Sequence, residues 1–517
     1  MLRDLQKSRI LSFLKLHENP WKILIIDDRT QQIISPLIKI KELREMGITS
    51  YFLISNKRYK IGNTPAIYFI SSIMDIPKDI YEDLYSEYYI HCVNTIKRKD
   101  LEKVAINLSK QGLGLKIKCV YDQFIDFVSL QDDFFSFEIK NSFLEINNTD
   151  MWRQFVFCLM SIFVTLESIP LIFSTDEVSR NVGKMLSDKI KGTDIIKKQV
   201  KRPILILVNR NYDVFTPIQH VWSYSALMND LLGLESNKIK IKDKIYDLDP
   251  SDPLWKDNRN EYFPLVVEKV EKALLEYKKE MALRSIDTKS DKKAIQKTLE
   301  KAPELAKKNE SVNAHISICL EMVDIIKNRN IDEFYKIEKS GYNDEELMSI
   351  SEKGDQSDIL RFALNIINSK DGDLAEAMLK KRNVKTNIIN FFKQFRPKTT
   401  IEKSTLSNVV SSIMGNVQKF LPLKEKSPIS DLLENVYYSI KSQNYNDYDV
   451  IDPIDGNLLR INDVSCLVVC VLGGCTYQDL KTLKILEEKL KIPIIYGGTE
   501  VLNSKNFLDQ VECLMKK

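Results

Sequence analysis

The chain lacks the residue patterns on which many common enzyme sites depend. Its 517 residues include 16 glycines and four histidines, and no glycine pair matches a phosphate-binding loop of the G-x-G-x-x-G or Walker type. There is also no G-x-S-x-G nucleophile motif and no H-E-x-x-H zinc motif. Eight cysteines occur without a C-x-x-C pair, which favours free thiols in a reducing compartment over a zinc site. We therefore expect no catalytic set, no cofactor and no metal.

Long apolar runs and an excess of one charge are missing as well. The net charge is +4, from 76 basic and 72 acidic residues, which gives no reason to expect a nucleic-acid partner. No apolar run reaches the roughly 18 residues that a membrane helix needs, and residues 155–166 predict a buried core helix instead. The N-terminal sequence MLRDLQKSRILSFLKL predicts an amphipathic helix rather than a signal peptide. Any attachment to membranes is then expected to run through a partner.

The order of apolar segments predicts an α/β fold with more than one core. Residues 21–130 alternate short apolar strands with helical segments, which is the layout of a doubly wound parallel sheet. A second such pattern follows up to residue 237, and residues 238–463 are mainly helical. Strands return in residues 464–517, but they are too few to form a sheet alone. We predict that residues 494–498 join the same sheet as residues 204–208, which gives domains 1–130, 131–237 with 464–517, and 238–463.

Residues 202–232, RPILILVNRNYDVFTPIQHVWSYSALMNDLL, are the most distinctive segment. An unbroken apolar strand at 204–208 ends in a group of polar side chains, and Thr216-Pro217 predicts a helix start with Thr216 as N-cap. A polar strand end before a helix usually suggests a ligand site in α/β folds, yet no glycine-rich loop accompanies it here. His220 follows in this helix start, where we expect it to hydrogen-bond to the turn.

The same segment resembles the signature of the SM (Sec/Munc-type) family, cytosolic proteins that bind SNAREs and guide membrane fusion. Further blocks resemble the family in the same order along the chain, and residues 21–49 are most similar to its Sly-like branch. These blocks are residues 21–49, 65–70, 121–137, 163–172, 252–270, 472–480 and 494–508. The signature residues are Arg210, Asp213, Thr216, Pro217, His220, Ser223, Tyr224, Ala226, Leu227, Asp230, Leu231 and Leu232, with Asn209 where the family often has Asp.

The resemblance implies a three-domain arch of two doubly wound parallel-sheet domains, the second discontinuous, and a large mainly helical domain. It implies a non-enzymatic protein that binds a syntaxin-type SNARE and templates the assembling SNARE bundle for vesicle fusion in ER–Golgi transport. We expect a cytoplasmic monomer, peripherally associated with ER and Golgi membranes through SNAREs. Tethering factors are a further candidate partner. No nucleic-acid partner is expected.

The candidate binding residues lie in the first domain. Leu101, Val104, Ala105 and Leu108 recur at i, i+3, i+4 and i+7, which predicts an apolar stripe on one helix. Simple packing onto the sheet is one interpretation. The resemblance implies another, which we favour: with Ile117 and Val120 of the next strand, the stripe forms an outer pocket for a syntaxin N-terminal peptide. Some of these residues should then stay partly exposed, and Val104→Lys should leave the fold intact.

Other interpretations remain open. The helical segment 280–303 is a second candidate for SNARE contact, with a solvated pair of charged helices as the alternative. The chain could instead belong to the vacuolar/endosomal or plasma-membrane branch of the family. A two-domain α/β nucleotide-binding enzyme, using Asp27, Asp213 or the glycine turns, is the rival from another class. ILIIDD at 23–28 resembles an acidic phospho-receiver pocket, but the third strand ends in Ser71-Ser72, so we favour a surface or interdomain role for Asp27 and Asp28.

Overall fold

The computed structural model describes the chain except for residues 16–20, 77–79, 81, 194–198, 288–291, 341–343, 370–371, 385, 396–425, 455–458 and 517. The described residues form two compact units. One contains Met1–Asn209, Leu433–Cys475 and Glu487–Val501, and the other contains Arg210–Leu432, Thr476–Leu486 and Leu502–Lys517. The three domain boundaries expected from the sequence remain a prediction.

The first unit begins with a sheet of five parallel strands in the order β2-β1-β3-β4-β5. The apolar segments β1 and β3 are buried along their whole length, as expected for central strands covered on both faces. Strand β5 lies at one edge. The strands are β1 (Lys22–Ile26), β2 (Ile48–Leu53), β3 (Ala66–Ile70), β4 (Tyr88–Cys92) and β5 (Ile117–Asp122), and the helices are α1 (Leu2–Lys15), α2 (Asp28–Ile34), α3 (Ile40–Glu45) and α4 (Arg98–Lys110).

A second sheet of seven strands completes the first unit, in the order β12-β8-β9-β13-β14-β7-β6. Its five central strands are parallel, and an antiparallel strand closes each edge. The prediction that residues 494–498 share a sheet with residues 204–208 is confirmed, because β13 pairs with both β9 and β14. The strands are β6 (Val128–Gln131), β7 (Phe134–Ser136), β8 (Leu171–Ser174), β9 (Arg202–Asn209), β12 (Asp449–Ile451), β13 (Val464–Leu472) and β14 (Ile494–Gly498), with helices α5 (Thr149–Leu166) and α6 (Glu177–Lys191).

The glycines near the end of the chain have two different roles. Gly473 and Gly474 adopt φ values of 92° and 105°, which allow the tight turn after β13. Gly497 and Gly498 lie inside β14. A Cβ atom on Gly497 would lie 2.4 Å from the backbone oxygen of Phe135 in the adjacent strand. Glycine at this position therefore allows β7 and β14 to approach closely.

The second unit is mainly helical, with one antiparallel hairpin of β10 (Lys238–Ile241) and β11 (Lys244–Asp247). No described helix is long and apolar enough to cross a bilayer. The helices are α7 (Tyr224–Leu231), α8 (Pro253–Asn258), α9 (Phe263–Asp287), α10 (Lys292–Arg329), α11 (Ile331–Ser340), α12 (Asp344–Ile350), α13 (Gln356–Ser369), α14 (Gly372–Lys381), α15 (Ile389–Lys393) and α18 (Ser504–Leu514). The helices α16 (Pro428–Ser442) and α17 (Tyr477–Leu490) are divided between the two units.

Candidate functional site

The predicted apolar stripe on α4 has a buried half and an exposed half. Val104 and Leu108 are each 3% exposed and belong to the core of the first sheet, beside Ile90 of β4. Leu101 is 37% exposed, and Ala105 is exposed as well. A lysine at position 104 would displace core packing, so Val104→Lys is expected to destabilise the fold, contrary to the expectation from the sequence. Only the exposed half of the stripe, Leu101 and Ala105, is accessible for direct contact with a partner.

Strand β5 brings its two candidate residues to one face of the sheet through a β-bulge. Strict alternation would place Ile117 and Val120 on opposite faces, since they lie three residues apart. In the structure Ile117 pairs with Tyr88 and Val120 pairs with Ile90, so Lys118 is an extra residue in β5. Ile117 and Val120 therefore point to the same face as Tyr88 and Ile90. Both are half-buried and pack against the core cluster that contains Val104 and Leu108.

Charged residues surround this edge but are mostly engaged with each other. Lys118 lies 3.3 Å from Glu87, and Lys116 donates a hydrogen bond to Asp83. That hydrogen bond is the main reason that the pKa of Asp83 is lowered. Four apolar residues of α4 and of the edge strand β5 remain at least partly accessible: Leu101, Ala105, Ile117 and Val120. We call these four residues the α4–β5 flank.

Three further exposed apolar side chains in this region were missed by the sequence analysis. Ile106 is 54% exposed, Leu115 is 90% exposed and Tyr121 is 51% exposed. Tyr121 stacks against His91, with 5.7 Å between ring centroids, and so lies on the other face of the sheet. A fuller helical projection of α4 would have identified Ile106, because it falls on the side opposite Val104 and Leu108.

The signature segment forms a buried ion network rather than a ligand site. Arg210 is fully buried and donates a hydrogen bond of 2.9 Å to Asp479 of α17. It donates another to the backbone oxygen of Asp213, at 3.0 Å. The Asp213 carboxylate accepts hydrogen bonds from the backbone N–H groups of Phe215 and Thr216. The polar strand end therefore serves to close a turn and to bind α17.

The helix predicted to begin at Thr216 is a short 3-10 turn, Thr216–Ile218, and α7 begins only at Tyr224. Arg361 of α13 donates hydrogen bonds to the backbone oxygens of Ile218 and Gln219, at 3.0 and 2.8 Å. The guanidinium group of Arg361 thus donates hydrogen bonds to carbonyl oxygens that would accept bonds from backbone N–H groups if the helix continued. Sequence alone could not show this partner, which lies 143 residues away.

His220 was expected to hydrogen-bond to its own turn. In the structure it hydrogen-bonds to a distant helix instead. Its Nδ1 atom lies 2.6 Å from Glu338 of α11, and its backbone N–H donates to the same carboxylate. Its Nε2 atom lies 3.5 Å from Asp358 of α13. Burial alone would lower the pKa of His220, but these carboxylates outweigh burial and raise it. Burial alone would raise the pKa of Asp358, whereas hydrogen bonds from His220 and Arg329 lower it.

We expect His220→Gln to destabilise the protein by about 1–3 kcal/mol, and most strongly at mildly acidic pH. Because the folded-state pKa of His220 is raised, its contribution is fully present below about pH 6.5. The contribution is lost as pH rises through the folded-state pKa. Urea unfolding of both proteins at several pH values measures the difference. Phe334→Leu is the control, because it removes the ring stacked on His220 without removing a proton site. If the unfolding free energies of His220→Gln and Phe334→Leu change equally with pH, the expectation is wrong.

The second predicted candidate, residues 280–303, forms the end of α9 and the beginning of α10, with residues 288–291 outside the described residues. Lys308 of α10 lies 3.4 Å from Glu280 of α9. Whether this helical pair contacts a SNARE stays a prediction. Asp27, an element of the rival enzyme interpretation, caps α2 and accepts a hydrogen bond of 2.6 Å from the Ser71 hydroxyl. Its carboxylate is thus used for local structure.

The Sec1 family model matches residues 22–510. A relative from Encephalitozoon cuniculi, described as a SEC1 family transport protein SLY1, is 55% identical over 515 residues, which cover 99% of both chains. The chain therefore belongs to the Sec1 family. Within that family it belongs to the Sly1 branch, as the sequence had predicted.

More distant relatives and solved structures agree with this assignment. Protein SLY1 of Saccharomyces cerevisiae is 25% identical, covering 99% of this chain and 96% of the relative. The crystal structure of Sly1p in complex with an N-terminal peptide of Sed5p has a TM-score of 0.82 at 25% identity, covering 99% of this chain and 98% of that one. The SM protein Vps45, in complex with the Qa SNARE Tlg2, matches with a TM-score of 0.82 at 17% identity, covering 100% and 98%, and shows the shared fold.

Proposed function

We propose that this chain binds a syntaxin-type SNARE through the α4–β5 flank and promotes SNARE assembly during vesicle fusion between the ER and the Golgi. The observation that carries the proposal is the exposed flank itself. Leu101 and Ala105 leave apolar surface uncovered on α4, and the half-buried Ile117 and Val120 lie on the edge strand β5, which follows α4 in the chain. The Sly1p relative binds an N-terminal peptide of Sed5p, and this chain shares its fold over nearly the full length.

The physical basis of the proposed binding is burial of a small apolar area. The α4–β5 flank offers aliphatic groups with few polar atoms, which suits the apolar face of a short peptide helix. Such a peptide would order on binding, so its affinity depends on a few well-seated side chains. Val104 and Leu108 would support the flank from beneath and keep its backbone rigid, without touching the peptide.

The proposed mechanism is non-enzymatic. One surface of the chain holds the SNARE by its N-terminal peptide, and other surfaces align the SNARE helices into a bundle. Alignment lowers the ordering cost of assembly and shifts the population toward productive complexes without covalent chemistry. The proposed location is the cytoplasm, at ER and Golgi membranes. The syntaxin that co-purifies with the chain distinguishes this branch from the vacuolar/endosomal and plasma-membrane branches.

We expect Ala105→Lys to weaken peptide binding about 10-fold or more while leaving the fold intact. Ala105 is exposed on α4, and lysine is a good helix former, so the helix should tolerate the change. A bound peptide would have to cover the new ammonium group, and one such loss of about 1.4 kcal/mol corresponds to 10-fold in affinity. Titration of the N-terminal peptides of the cell's own syntaxins, with a thermal melt of each variant, measures both effects.

Asn107→Lys is the matched control for this experiment. Asn107 is exposed on the same helix but lies away from the α4–β5 flank, so the variant adds the same charge without blocking it. The peptide affinity of the control should stay close to that of the unmodified chain. If Ala105→Lys folds normally and binds every syntaxin peptide as tightly as the control does, the flank is not the binding site.

A further inference from the structure

The solvent-facing side of α4 carries a row of lysines. Lys99, Lys103 and Lys110 are all exposed, and Ile106 falls between them. Their spacing of four, three and four residues places them on one side of a helix with about 3.6 residues per turn. That side lies opposite the buried Val104 and Leu108. We call Lys99, Lys103, Ile106 and Lys110 the lysine face.

The lysine face has no neutralising partner among the described residues. None of its three lysines forms an ion pair there, whereas the nearby acids are engaged elsewhere. Glu102 of the same helix lies 2.8 Å from Arg98. Asp83 is bridged by Lys116, and Glu87 is paired with Lys118. Helix α4 also contains Asp100 in its first turn. The four cations and two acids of α4 together give the helix a net charge of +2.

Two exposed aliphatic side chains accompany these cations. Ile106 is 54% exposed in the middle of the row. Leu115 is 90% exposed in the 3-10 turn Gly114–Lys116, which is separated from the end of α4 by residues 111–113. Lysines around exposed aliphatic groups suit the interface of an anionic bilayer, where the charges meet headgroups and the aliphatic groups enter the boundary of the acyl chains.

We propose that the lysine face binds the surface of an anionic lipid bilayer. This contact is direct and separate from any attachment through a SNARE, and its residues are distinct from the α4–β5 flank. Each lysine near such a surface contributes about 1 kcal/mol, or about five-fold in partition. Three lysines therefore supply about 100-fold, which gives weak and reversible attachment. Such a contact would fix which side of the first sheet is turned toward the membrane.

The test uses the full chain and lipid vesicles without any SNARE. The vesicles contain either phosphatidylcholine alone or equal parts of phosphatidylcholine and phosphatidylserine. We expect co-sedimentation with the phosphatidylserine vesicles only, and we expect it to weaken as salt is added, because salt screens surface charge. The variant Lys99→Gln, Lys103→Gln, Lys110→Gln should lower this partition about 100-fold. A thermal melt should match that of the unmodified chain, because glutamine is also a good helix former.

A control variant removes the same number of charges from three separate helices. Lys184, Lys327 and Lys505 are exposed on α6, α10 and α18, and their replacement by glutamine should leave vesicle binding within about two-fold of the unmodified chain. If both variants lose binding equally, net charge explains the effect and the proposal is wrong. Equal binding by the unmodified chain and the Lys99, Lys103, Lys110 variant would also overturn it. Binding of a polyglutamate peptide in place of vesicles would assign the lysine face to an acidic protein instead.

Discussion

A chain that ends at Asp463 is expected to fail to fold and to aggregate. Such a chain lacks β13 and β14, which lie between β9 and β7 in the second sheet. The loss therefore divides this sheet into two pieces and does not simply trim its edge. Each buried aliphatic side chain contributes about 1.5–3 kcal/mol, so the fully buried Leu467, Val468, Val469 and Val471 of β13 contribute about 6–12 kcal/mol. That sum matches the whole stability of a typical domain, about 5–15 kcal/mol.

Size-exclusion chromatography and far-UV circular dichroism of the truncated chain measure the outcome. The exposed edges of β9 and β7 should promote intermolecular strand pairing, so most of the protein should elute as aggregate. A chain that lacks only residues 515–517 is the control, because these residues follow the last helix, α18. It should remain monomeric. A soluble, monomeric chain ending at Asp463 with normal helix and strand content would show that β13 and β14 are dispensable.

The second large effect is expected for Val104→Lys. Val104 is 3% exposed and packs in the core under α4. The substitution removes about 1.5–3 kcal/mol of apolar burial and adds about 1–3 kcal/mol of overpacking. We therefore expect a loss of about 2.5–6 kcal/mol of unfolding free energy, from the sum of these two costs. Peptide affinity measured on the remaining folded protein should fall less than it does for Ala105→Lys.

Ala105→Lys is the matched comparison, since it places the same side chain one residue further along the same helix. Thermal and urea unfolding of the two variants should differ by several kcal/mol, because one position is core and the other is exposed. Equal stability of the two variants would mean that Val104 is accessible in solution. All four residues of the α4 stripe, and not only the two exposed ones, would then be candidates for the wall of a peptide pocket.

Much of the architecture could be predicted from local pattern. Continuous apolar runs predicted the central strands β1, β3, β9 and β13, because strands covered on both faces have no polar positions. The short edge strands β6 and β12 were not predicted. They span only four and three residues, and β12 pairs with β8, which is far away in sequence. The predicted helix at Thr216 failed for a similar reason, since Arg361 binds the carbonyl oxygens of its first turn.

The exposure of the residues that form the α4–β5 flank was only partly predictable. Helical spacing identified Leu101, Val104, Ala105 and Leu108 as one stripe, but spacing cannot show how far the sheet covers it. The tertiary structure covers Val104 and Leu108 and leaves the other two exposed. The grouping of Ile117 with Val120 likewise depends on a bulge at Lys118, which alternation along the strand cannot reveal.

The sequence by itself determined the family, the α/β class and the shared sheet of residues 204–208 and 494–498. Each of these follows from apolar periodicity or from the signature segment, which are properties of neighbouring residues. Only the tertiary structure decided which charges meet. Arg210 hydrogen-bonds to Asp479, which is 269 residues away in sequence. His220 pairs with Glu338, which is 118 residues away. The physical reason is that such pairs form when packed helices bring distant side chains within a few ångströms, and no local pattern encodes that distance.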